Sequence, residues 1–145
     1  MLMPEKVLSM KIHSNIQNKI ESIFMTEPVS FAYLFGSYAR GEEISASDID
    51  IAILIDSLLS KEQRFDLASS LVSRLSKILG ARVDIVVLND IRSLFFKYSI
   101  FQDGKLLYKK QGADPVSYVS KIYALYFDFA PFLNKITAQY VSRNI

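Results

Sequence analysis

The stretch from Phe35 to Asp50 constrains this chain more than any other: Phe-Gly-Ser-Tyr-Ala-Arg-Gly-Glu-Glu-Ile-Ser-Ala-Ser-Asp-Ile-Asp. An apolar run from Phe31 to Phe35 stops at Gly36-Ser37, a short polar loop follows, and Asp48-Ile49-Asp50 opens a second apolar run. A glycine-serine turn suits a phosphate, because a side chain at the glycine would hold the phosphate away from the backbone N–H groups. Two carboxylates one residue apart suit a divalent metal. Together they read as a site for a metal-bound nucleotide.

The flanking pattern predicts the elements that carry this stretch. Val7, Met10, Ile12, Ile16, Ile20, Ile23 and Phe24 recur at spacings of three and four, which predicts an amphipathic helix from Pro4 to about Met25. His13, the single histidine, lies on a polar stretch of that helix without a partner and reads as a solvated side chain. Phe31–Phe35 and Ile49–Ile55 read as strands, with one or two helical turns over Ser37–Arg40. Ser60 with Gln63 forms a capping box that opens a helix from Lys61 to Leu79, and Gly80 stops it. Val83–Leu88 is a third strand with one acid, Asp84, which is costly to bury unless paired or on a metal. Asn89 or Asp90 is expected to cap a short helix through about Tyr98, and Lys105–Tyr108 to form an edge strand guarded by lysines. Asp114-Pro115 starts a final helical region, expected to be interrupted at Pro131 and rich in aromatics: Tyr118, Tyr123, Tyr126, Phe127, Phe129, Phe132 and Tyr140.

These elements imply a geometry. Asp48 and Asp50 are two apart on an extended segment, so both point to one face with Cα atoms about 7 Å apart. The Lys61–Leu79 helix has the length of a crossover between parallel strands, which puts the starts of the second and third strands at one edge of the sheet. The short loop between the first two strands makes them antiparallel, so Gly36-Ser37 arrives at the same edge. Asp48, Asp50 and Asp84 are hard oxygen ligands that hold Mg²⁺ while leaving positions for phosphate oxygens. Two metals ~3.5–4 Å apart would serve both oxygens of an in-line displacement at phosphorus. The backbone at Gly36 and Ser37, the serine hydroxyl and any helix start there would hold the triphosphate. Arg40 either pairs with a phosphate or orders the acidic loop through a salt bridge. Glu42 and Glu43 read as solvated loop charges, and Tyr38 as a packing residue rather than a base-stacking one.

Bulk composition narrows the classes. With 145 residues, half of them hydrophobic and 22% charged, and a mean hydropathy of +0.20, one globular domain over residues 1–145 is expected, with a helical extension at about 114–145. Lys and Arg number 17 against 15 acids, too small an excess for a nucleic-acid binder, so no direct nucleic-acid binding is expected. The sequence has no cysteine, which excludes disulfides and thiolate metal sites. No apolar run approaches the ~20 residues of a membrane span, and no signal-peptide hydrophobic region opens the chain. A cytoplasmic location is expected. Met1, Met3 and Met10 leave the start of translation open.

Gly36-Ser37 followed by Asp48-x-Asp50 resembles the signature of the DNA polymerase β-like nucleotidyltransferase superfamily. The fuller Gly-Ser-Tyr-Ala-Arg-Gly with Ser47-Asp48-Ile49-Asp50 is similar to its minimal nucleotidyltransferase (MNT) branch, and Asp84 matches that family's third carboxylate. The segment Tyr126–Leu133 resembles the tail of MntA-type antitoxins, which are encoded beside HEPN toxins. The resemblance implies an α/β (α+β) nucleotidyltransferase fold, a small mixed β-sheet flanked by helices. It also implies a Mg²⁺-dependent transfer of AMP from ATP to a tyrosine of a HEPN ribonuclease toxin, silencing it. Asp48 and Asp50 would bind metals, Asp84 would complete the site and help deprotonate the tyrosine, and Gly36 and Ser37 would hold the triphosphate. A hetero-oligomer with the toxin, formed through the aromatic C-terminal helices, follows from the same resemblance.

Two alternatives stay open at this level. One keeps the chemistry but changes the acceptor to a small molecule or an RNA end. The other is a non-catalytic antitoxin that neutralises its toxin by binding through the aromatic helices.

Overall fold

The structure, a computed structural model, describes residues 14–42, 48–56 and 58–144. Elements follow in the order α1 (Ser14–Met25), β1 (Val29–Phe35), α2 (Gly36–Arg40), β2 (Ile49–Ile55), α3 (Lys61–Leu79), β3 (Val83–Val87), a 3-10 turn (Leu88–Asp90), α4 (Leu94–Gln102), β4 (Lys105–Lys109) and α5 (Pro115–Asn144). The sheet has four strands in the order β3-β2-β1-β4. β1 is antiparallel to both β2 and β4, and β2 is parallel to β3. This is the mixed sheet with flanking helices expected from the sequence. The part of the first helix expected before Ser14, with His13, lies outside the described residues, as do Glu43 and Ser47.

Each face of the sheet carries its own core. On one face Val29, Ala32, Leu34, Ile49, Ile51, Ile53, Ile55 and Val83 pack with Ile20 and Phe24 of α1 and Leu71 and Leu75 of α3. On the other, Phe31 and Ala52 pack with Leu88 of the 3-10 turn, with Ile100 and Phe101 of α4 and with Ile122 of α5. The alternation along β2 sends successive side chains to opposite faces, as a pleated strand must. Burying both faces explains why the β2 pattern is almost wholly apolar after its polar opening.

Local signals account for most boundaries. Ser60 accepts from the Gln63 N–H at 3.1 Å, and Gln63 accepts from the Ser60 N–H at 2.8 Å, closing the capping box of α3. Gly80 ends the helix in the left-handed region at φ 63°, where a Cβ would be strained. Asp114 caps α5 by accepting from the Ser117 N–H at 3.0 Å.

Three expectations need correction. The cap after β3 is neither Asn89 nor Asp90 but Ser93, which accepts from the Phe96 N–H at 3.1 Å, and its helix runs past Tyr98 to Gln102. Asn89 is instead spent on β2: it donates to the Ile55 carbonyl at 2.9 Å and accepts the Ile55 N–H at 2.8 Å. Asp90 is held by Arg64. Second, α5 is not interrupted at Pro131 but continues through it. Proline removes one helical hydrogen bond and crowds the carbonyl four residues back, at roughly 3 kcal/mol, a local cost that about eight turns of helix absorb. Third, Asp84 is exposed rather than buried among the apolar residues of its strand.

The aromatic residues of α5 divide in two. Tyr118 and Tyr123 pack into the second core, and Tyr126 stacks on Tyr98 of α4 at 3.8 Å between ring centroids. Beyond them Phe127, Phe129, Phe132, Ile136 and Val141 are exposed. The side chain of Tyr140 lies outside the described set.

Candidate active site

Register assembles the site. Phe35 of β1 pairs with Asp50 of β2, and Asp50 pairs with Asp84 of β3. One row across three strands thus runs from Phe35, the residue before Gly36, to Asp84. Parallel neighbours at the same register point the same way, so the Asp50 and Asp84 carboxylates stand side by side, with Cα atoms about 4.8 Å apart. Alternation places them on the sheet face covered by α4 and α5, since Ala52 of β2 and Val86 of β3, two residues on, lie in that core.

Asp48 precedes β2 and is half-buried. It is paired with Arg82, whose Nε lies 3.3 Å from the Asp48 Oδ1. The sequence reading missed this partner. Ile49 pairs with Val83, so the residues just before them, Asp48 and Arg82, meet. Only the register could have revealed it. The pair is also tied through the backbone, the Ile49 N–H donating to the Arg82 carbonyl at 2.8 Å.

Gly36 has a close reason to be glycine. Its φ is 78°, and a Cβ built on it would collide with the Asp50 carboxylate. The turn at the end of β1 and the acid of β2 are therefore packed backbone against carboxylate. Ser37 sits within the short α2 that follows, half-buried. Tyr38 packs against the first core, in line with its packing reading. Arg40 is exposed and donates to Glu42 at 2.8 Å, so Glu42 is paired rather than merely solvated. The salt-bridge alternative describes Arg40 here.

The electrostatics are those of concentrated negative charge. Asp50's carboxyl is pushed above the ordinary carboxylate range, first by burial and then by the charges of Asp84 and Asp48, with Arg40 opposing weakly. Among the described residues no group of three or more acids or histidines is placed so that it could hold a metal ion as it stands. The chemistry of the donor set nonetheless suits a hard divalent cation: three carboxylates on adjoining segments, with only oxygen donors among them. A cation bound there would relieve the repulsion at Asp50.

Comparison with known proteins agrees with this geometry. Residues 18–113, from α1 to the turn after β4, match the family model described as polymerase beta, nucleotidyltransferase. The protein adenylyltransferase MntA of Shewanella oneidensis is 37% identical over 90 residues, 62% of this chain and 61% of that protein. A Methanocaldococcus jannaschii protein carrying the name of a protein adenylyltransferase is 41% identical over 70 residues, 48% of this chain and 68% of its own. Among solved structures, a toxin–antitoxin crystal structure with AMP-PNP superposes with a TM-score of 0.67 at 28% identity, covering 86% of this chain and 98% of the other. A tri-AMPylated S. oneidensis HEPN toxin in complex with its MNT antitoxin gives 0.59 at 25% identity, with coverage of 86% and 98%. Sheet order, the row of carboxylates and the family match over residues 18–113 lead to one conclusion: the chain belongs to the polymerase beta family of nucleotidyltransferases.

Proposed function

We propose that this protein is an antitoxin that transfers AMP from ATP to a tyrosine of a cognate HEPN toxin and so neutralises it. The observation that carries the chemistry is the register row Phe35–Asp50–Asp84, which sets two carboxylates beside the Gly36-Ser37 turn. The likeness to MntA and to MNT–HEPN complexes supports the acceptor.

In this reading the tyrosine oxygen attacks the α-phosphorus of ATP. A new oxygen–phosphorus bond forms, the bond from the α-phosphorus to the bridging oxygen breaks, and pyrophosphate leaves. Asp84, exposed at the outer edge of the row, would help to deprotonate the tyrosine. The Gly36-Ser37 backbone and the Ser37 hydroxyl position the triphosphate, and Asp50 faces the same space without a side chain at Gly36 to block it. Asp48, Asp50 and Asp84 would hold Mg²⁺, which supplies neutralisation of the charge that builds on the phosphate oxygens. Arg40 gives its Nε–H to Glu42, and its terminal guanidinium N–H groups are the ones a phosphate would take.

The toxin-facing surface in this proposal is the outer half of α5. Phe127 is 59% and Phe132 55% exposed, and burial of such side chains needs a partner. That same surface favours a second reading, neutralisation by binding alone. Labelled ATP, Mg²⁺ and the neighbouring gene product, incubated with wild type and with Asp48→Ala plus Asp50→Ala, separate the two. Label on a tyrosine of the partner, lost in the double variant, is expected. No labelling, with neutralisation unchanged in the variant, would assign the protein to binding alone. Label on RNA or a small molecule would move the acceptor.

A further inference from the structure

We propose that Phe96, braced by Phe35, is the platform on which the nucleobase of the donor nucleotide stacks. The inference rests on the nucleotidyltransferase site described above and adds to it the residue that recognises the nucleoside. A grip made of carboxylates, cation and a glycine-serine turn holds phosphates and is blind to the base.

The nucleoside must leave that grip on the sheet face that Asp50 and Asp84 share, because the alternation of β2 and β3 sends both carboxylates there. Phe35, the antiparallel partner of Asp50, lies on the same face, packed against the second core. Its ring meets that of Phe96 edge-on, with centroids 6.4 Å apart at 76°. Starting from paired Cα atoms about 5 Å apart, one further ring contact therefore bridges from the carboxylate row to Phe96, a reach that a ribose and base can span.

Phe96 is only partly spent on packing. Ile100 and Phe101 of the same helix are buried, whereas Phe96 is 38% exposed. Its backbone is fixed at the first turn of α4 by the Ser93 cap, so the partly exposed ring is held in place before a ligand arrives. A fixed aromatic ring with open surface, beside a phosphate site, is the chemistry that binds a base through its π-face.

Equilibrium binding with Mg²⁺ tests this, using ATP and inorganic tripolyphosphate as the two probes. Phe96→Ala is expected to weaken ATP by about tenfold while leaving tripolyphosphate unchanged, and Phe96→Trp to restore ATP. Phe96→Leu, which keeps apolar bulk without a π-face, guards against a folding defect and is expected to behave as the alanine variant does. Unchanged ATP affinity, or an equal loss for both probes, overturns the platform. A wild-type protein that binds neither probe overturns the nucleotide site itself, an outcome distinct from the first.

Discussion

Gly36 and Asp50 share a space that holds one side chain. The glycine φ of 78° and the collision awaiting a Cβ there mean that Gly36→Ala must displace the carboxylate, the backbone or both. A shift of about 1 Å at a reacting centre costs on the order of 100-fold, so this variant should lose at least that much AMP transfer while circular dichroism still reports a folded protein. Arg82 makes a subtler prediction. It neutralises Asp48 from a largely exposed position, where ion pairs are weak but still compete with a cation. Arg82→Ala should lower the Mg²⁺ concentration needed for half-maximal transfer by a small factor. An unchanged or raised requirement would show that Arg82 instead holds Asp48 in its productive position.

At the scale of elements, α3 and the turn after β3 fasten the strands that bear the acids. Loss of the capping box in Ser60→Ala should destabilise the protein by about 1 kcal/mol, read from chemical denaturation. Leu75→Ala, which empties a fully buried position of α3, should cost roughly 2–5 kcal/mol. Arg64 joins this helix to the turn, its Nε donating to the Asp90 Oδ2 at 3.0 Å. That hydrogen bond, with the guanidinium charge, holds the Asp90 carboxyl below the ordinary carboxylate range. Because the folded value is depressed, the pair's contribution is present above the unfolded value of about 3.9 and is lost as pH falls through the folded one. Asp90→Asn should therefore narrow its stability gap from wild type as pH is lowered through that acid window. A gap independent of pH would show that the pair's charge contributes nothing.

Over the whole molecule, α5 serves two ends. Its first half covers the sheet through Tyr118, Ile122 and Tyr123, and its second half offers an apolar strip. Replacing Phe129 and Phe132 by serine should leave thermal stability almost unchanged, since both are exposed and their rings meet each other, and should weaken capture of the toxin in a pull-down. A large loss of stability would mean instead that this half of the helix folds back onto the body. The two cores share one sheet, so residues 14–144 are expected to unfold in one cooperative transition, followed by calorimetry. No helix among the described residues is long and apolar enough to cross a membrane.

Local chemistry was enough to read much of this protein from its residues. The Ser60–Gln63 box and Gly80 bracket α3 to the residue, because caps are short-range hydrogen-bond patterns that survive any tertiary setting. The apolar runs of β1, β2 and β3 and the crossover length of α3 implied the strand directions observed, and with them the gathering of Gly36, Asp50 and Asp84 at one edge. What local patterns could not carry was decided by contacts between distant segments. Asn89 and Asp90 look like helix caps, yet Ile55 and Arg64 claim their side chains, so the cap passes to Ser93. Asp84 looks costly in an apolar strand, but its side chain is exposed. Arg82 reaches Asp48, and Phe96 reaches Phe35, only through register and helix placement. Residue types and spacing determine which chemistry is available; only the packing of one segment on another determines which side chain is free to perform it.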